Sequence, residues 1–257
     1  MKISRNPMPA TTLSPAFLAR YRRAYNTLPD VDDAYARLRD RRDHMTVIRA
    51  ALRIIKDHGA NDFLGVSLLH RHFRCEAGAV FIERTYTPRA AGHRTLLVTA
   101  PTPATRAPRG ITPYRLHVDP GGKLQPLEYT TDRVVTGGYA RLVEGAELRR
   151  DLGRHLARSR LASSLGVGIF PRSGALAGAP HVFIEETDFE KRASVTHVRR
   201  RLPRGVGRLI PTVWTVGETG SGCCLPQGVC VAYCTNHEGT GGYCGHKKSS
   251  NDHLGCV

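Results

Sequence analysis

Between residues 61 and 216 the apolar residues come in short runs separated by turn formers, and this punctuation constrains the fold more than any other feature. Runs at 63–73, 79–86, 94–99, 111–118 and 124–130 are each long enough for a strand and too short for a typical helix. Asp119-Pro120-Gly121-Gly122 joins the last two. Proline presets one backbone dihedral there and glycine accepts positive φ, so a hairpin is expected. Four more runs, at 166–170, 181–187, 193–198 and 208–216, follow a helical stretch at 139–161 whose Leu142, Leu148, Leu152 and Leu156 face a core. A second hairpin is expected around residues 188–191. The pattern predicts a largely antiparallel β-sheet or barrel crossed by one helix.

Upstream the period is helical. Ser14-Pro15 can open a first helix that runs through Phe17, Leu18 and Tyr21 to about residue 26, with proline at its first position. Asp30 is a candidate N-cap for a second, and Asp32 and Asp33 sit where the helix dipole favours them. Val31, Ala34, Leu38, Met45, Ile48, Leu52 and Ile55 then form one apolar stripe, interrupted at Arg41 and ended by Gly59, which reads as a single long helix. The fold class is therefore α+β: a helical region at 1–60, a mainly antiparallel α+β core at 61–216, and a Cys/His/Gly-rich tail at 217–257.

That tail holds six of the 7 cysteines. Cys230, Cys234, His237, Cys244 and His246 lie close together, and thiolate and imidazole are ligands that zinc, iron and copper accept. The spacing matches neither a zinc ribbon nor a two-Cys, two-His finger. Disulfides are the alternative. Residues 1–23 contain no signal-like apolar segment and no stretch approaches 18 apolar residues, so the expected compartment is the cytoplasm, where cysteine clusters favour metal.

His70-Arg71-His72 ends the first apolar run. On an extended chain residues two apart point the same way, so both imidazoles can reach one ion, with Glu76 or Glu83 adding a carboxylate. Two histidines and one carboxylate form the facial triad of non-heme iron enzymes. His70-x-His72-x3-Glu76 resembles the core of the first cupin motif, which binds iron, manganese, zinc or copper. The resemblance covers about a dozen residues; Gly65 lies one residue closer than that motif asks, and the second cupin motif is absent. His70, His72 and Glu83 are the candidate catalytic residues. His70, His72, Glu76, Cys230, Cys234, His237, Cys244 and His246 are the candidate ligands of a divalent transition metal. Cys75, three residues past His72, is a further candidate ligand or nucleophile, or simply a small apolar residue.

No phosphate-binding glycine loop, nucleophile elbow or dinucleotide fingerprint is present. The formal net charge of +16 comes from 38 basic residues, nearly all arginine, against 22 acidic ones. Arginine's planar fork suits phosphate and carboxylate, which points to an anionic partner. Two functions follow: a metal-dependent enzyme on a small molecule, an oxidoreductase if the metal is redox-active, or a zinc-stabilised nucleic-acid-binding protein or nuclease.

Overall fold

The computed structural model describes residues 13–86, 96–170, 182–199, 209–216 and 229–235. Three helices lead: α1 (Pro15–Asn26), α2 (Val31–Arg39) and α3 (His44–Asp57). The first two start where their caps dictate. Ser14 accepts the amide of Phe17 at 3.2 Å, and Asp30 accepts that of Asp33 at 2.9 Å. The stripe at 31–55 is two helices rather than one. The chain leaves helical geometry around Arg41, the one stripe position with no apolar side chain to bury, and Asp43 heads α3.

Among the described residues ten strands follow, with two helices between the fifth and sixth: β1 (Leu64–Leu68), β2 (Ala79–Tyr86), β3 (Leu96–Pro103), β4 (Thr112–Val118), β5 (Leu124–Thr130), α4 (Arg133–Glu144), α5 (Ala146–Arg158), β6 (Leu165–Ile169), β7 (Val182–Asp188), β8 (Ala193–Arg199), β9 (Leu209–Thr215) and β10 (Val229–Thr235). The crossing helix at 139–161 is thus also two helices, meeting at Gly145.

The strands form one curled, closed sheet in the order β1-β6-β4-β5-β2-β3-β8-β7-β10-β9, and β9 pairs back onto β1. Closure removes the exposed edges on which an open sheet would aggregate. Pairing is antiparallel except for β2 with β5 and β10 with β7, so the expectation of a largely antiparallel sheet holds. The hairpins at 119–122 and 189–192 connect β4 to β5 and β7 to β8.

β10 lies in the segment the sequence assigned to a separate tail. It fills the gap between β7 and β9, so residues 229–235 belong to the barrel wall. Only three-dimensional pairing could show this, because VCVAYCT also reads as a ligand-rich loop.

The main core forms where α2 and α3 press Leu38, Ile48, Leu52 and Ile55 onto β1 and β9, and α5 brings Leu152 and Leu156 against α3 and β4. Burying each such side chain contributes roughly 1.5–3 kcal/mol. A second cluster forms where α1 lies over β2 and β5. Tyr25 stacks on Phe81 with ring centroids 4.3 Å apart, and Tyr21 donates to the carbonyl of Leu127 at 2.6 Å.

Candidate metal centre

Cross-strand registers place one set of polar side chains on a common face of the sheet. Glu83 pairs with Thr99 and Thr99 with Ser194. One step along, Glu185 pairs with both Thr196 and Cys234. Partners directly opposite in a ladder point the same way. All six are buried. Side chains so polar occupy a sealed interior only where they satisfy one another or hold something else.

The two histidines reach this face from a loop. β1 ends at Leu68, and residues 70–73 lie beyond it, so His70-Arg71-His72 is not on the strand that the sequence suggested. The alternation nevertheless persists. Arg71 is pinned outward, its amide bonded to the carbonyl of Pro29 at 2.9 Å and its Nε to that of Leu28 at 2.6 Å. The flanking imidazoles turn the opposite way and lie 5.0 Å apart, centroid to centroid.

There they meet Glu185 and Cys234. His72 Nε2 is 3.3 Å from Glu185 Oε1, and His70 Nε2 is 3.7 Å from Glu185 Oε2. One donor atom from each of His70, His72, Glu185 and Cys234 lies within 4.8 Å of the other three. Two imidazole nitrogens, a carboxylate oxygen and a sulfur are a donor set that zinc, iron and copper accept, and the cluster can hold a metal ion.

The surroundings set the donors' protonation. His70 Nδ1 lies 3.0 Å from the carbonyl of Leu68, which can only accept, so the ring proton is on Nδ1 and the Nε2 lone pair faces the cluster. The His72 ring is held in place by Thr187, whose hydroxyl is 2.7 Å from Nδ1. Both Nε2 atoms are buried without a hydrogen-bond partner. A buried lone pair left unsatisfied, as at His70 Nε2, costs about 1–3 kcal/mol unless a cation takes it. Burial pushes the His70 imidazole below its ordinary range, favouring the neutral ligand form. For Glu185 burial acts upward, but the neighbouring His72 and Arg115 outweigh it and hold the carboxyl well below its usual range. Burial, reinforced by Glu185, pushes the Cys234 thiol up. It would enter a metal's coordination shell by losing its proton to the ion's field.

Arg115 anchors the carboxylate. Its guanidinium lies 3.6 Å from Glu185 and 3.2 Å from Glu128, and Ser194 donates to Glu185 at 2.8 Å. Glu128 also accepts from the hydroxyls of Tyr114 and Tyr25, which ties the cluster to α1. Two carboxylates therefore share one guanidinium in a closed interior, an arrangement that a further cation complements.

Of the residues singled out from sequence, His70, His72 and Cys234 converge. Glu83 shares the buried face without belonging to the four-donor group. Glu76 does not join: it is exposed and pairs with Arg192 at the β7–β8 turn. Cys230 lies on β10 opposite Trp214. His237, Cys244 and His246 lie outside the described residues. Cys75 is buried in the α1–β2 cluster, its thiol donating to the carbonyl of Ala79 at 3.3 Å. Glu185, Arg115 and Glu128 were missed. Their signal was present, since each interrupts an apolar strand with a charge, but periodicity does not say which interruptions face inward. Comparison with protein-family models, with curated proteins and with solved structures finds no match for this chain.

Proposed function

We propose that the chain is a metal-dependent enzyme acting on a small molecule, an oxidoreductase when the bound metal is iron or copper. The observation that carries this reading is the convergence of His70 Nε2, His72 Nε2, Glu185 and Cys234, whose donor atoms lie within 4.8 Å of one another. His70, His72 and Glu185 would hold the ion, with Cys234 as a fourth donor that substrate could replace. A redox metal in that set supplies one-electron chemistry, and zinc would instead polarise a carbonyl or activate water. The chain's own residues fix the rest. Leu68 and Thr187 hold the imidazoles in orientation, and Arg115 and Ser194 hold the carboxylate.

A second reading is favoured by the completeness of the set. Four protein donors in a sealed site are the pattern of structural zinc, and the net charge of +16 would then serve nucleic acid. One experiment separates the two. Metal content is measured on purified protein and on the His70→Ala/His72→Ala variant, then cobalt(II) is loaded and its visible spectrum followed as azide is added. Loss of about one equivalent in the variant, with a cobalt spectrum that azide changes, supports the enzyme. A spectrum indifferent to azide supports structural zinc. Equal metal content in both proteins removes the site altogether.

A further inference from the structure

The turn between β4 and β5 rests directly on α5. A methyl group added at Gly153 would run into the carbonyl of Gly122, whose φ of +78° turns the chain back toward Lys123. The two glycines let hairpin and helix touch backbone to backbone. A cleft of about 780 Å³ opens beside this contact, of the size that small ligands occupy.

Its walls carry one sign of charge. Lys123 comes from the turn, and Arg149, Arg150, Arg154 and Arg158 come from α5; among the described residues no carboxylate and no aromatic ring lines it. Arg150, Arg154 and Arg158 follow one another at four-residue steps on one helix face, roughly 6 Å apart along the axis. Arg150 is tethered by Asp151 at 3.2 Å and Glu147 at 3.9 Å. Among the described residues Lys123, Arg149, Arg154 and Arg158 form no ion pair, and Arg149 Nε is buried without a hydrogen-bond partner. The nearest turn carboxylate, Asp119, is already engaged by the amide of Lys123 at 2.9 Å and the side chain of Gln125 at 3.0 Å.

Like charges held this close repel, and an exposed helix face usually relieves that by interleaving glutamates at four-residue steps. Among the described residues Arg154 and Arg158 have no such carboxylate, which leaves them able to take an external anion. Guanidinium forks are the groups that hold phosphate by paired, charge-assisted hydrogen bonds. The absence of aromatic rings removes the stacking platform that single-stranded nucleic acid uses. The row from Arg150 to Arg158 spans about 12 Å, enough for two phosphoryl groups on one compact molecule. We infer that this cleft binds a small organic bisphosphate, held at both ends by the α5 arginines and closed over by Lys123.

The test is calorimetric titration of the full chain with fructose 1,6-bisphosphate, a weak metal chelator, at physiological ionic strength. Inorganic sulfate and a single-stranded oligonucleotide serve as comparators, and metal content is measured before and after. Saturable binding of one equivalent is expected, with sulfate far weaker. The Arg154→Glu/Arg158→Glu variant, altered at two exposed positions, should weaken binding by at least about tenfold. Arg154→Ala should weaken it by less. Arg20→Glu/Arg53→Glu makes the same change in net charge elsewhere and should leave the affinity as it was. An equal loss in that control would overturn the site. So would heat that tracks ionic strength without saturating, or an oligonucleotide that binds more tightly the longer it is. None of these outcomes depends on the metal centre.

Discussion

Glu185 on β7 stands 3.3 Å from His72, a residue of the loop after β1, and its second oxygen stands 3.6 Å from Arg115 on β4. One carboxylate thus joins the imidazole pair to the buried guanidinium. Replacing it with an isosteric amide keeps the shape and removes the charge.

For Glu185→Gln the metal-stripped protein should lose about 3 kcal/mol of stability, because breaking a buried ion pair leaves part of the partner's charge uncompensated. Glu128 still holds Arg115, which keeps the loss from being larger. The variant should also retain less than half its metal. Urea unfolding and elemental analysis read both effects, and unchanged values in each would refute the linking role.

Gly153→Ala sets helix propensity against packing. Alanine is favoured in a helix interior by about 1 kcal/mol. The added methyl would meet the Gly122 carbonyl, backbone that cannot swing aside as a side chain does. Overpacking of this kind costs about 1–3 kcal/mol. A net loss is therefore expected on thermal denaturation, with α5 displaced from the turn. A raised melting temperature would show that the helix and hairpin are not in contact.

The Cys75 thiol is pushed up to about 11 by burial. Its thiolate, the nucleophilic form, is scarce at neutral pH and grows about tenfold with each unit of pH below that value. Iodoacetamide at pH 7.5 should leave Cys75 unmodified in the folded protein and label it fully in urea, as mapped by mass spectrometry. Rapid labelling of the native protein at pH 7.5 would restore Cys75 as a candidate nucleophile.

What the sequence determined by itself was the local layer. Ser14 and Asp30 placed two helix starts, and Asp119-Pro120-Gly121-Gly122 placed a hairpin, because capping and turn chemistry act within a few residues. The apolar runs marked nine of the ten strands for the same reason. His70-x-His72 announced a shared direction, and that direction survived the loss of the strand meant to supply it, since Arg71 is fixed on the other side.

Tertiary structure decided the remainder. Glu76 follows His72 closely in sequence yet pairs with Arg192 at the surface, while Glu185, from the far half of the chain, provides the carboxylate. Cys234 came into the site because β10 pairs with β7 in the register that sets it opposite Glu185. Ladder register is fixed by long-range pairing and closure of the barrel. No local window of residues carries that information, so composition and spacing singled out His70, His72 and Cys234 as candidates but could neither bring them together nor name Glu185.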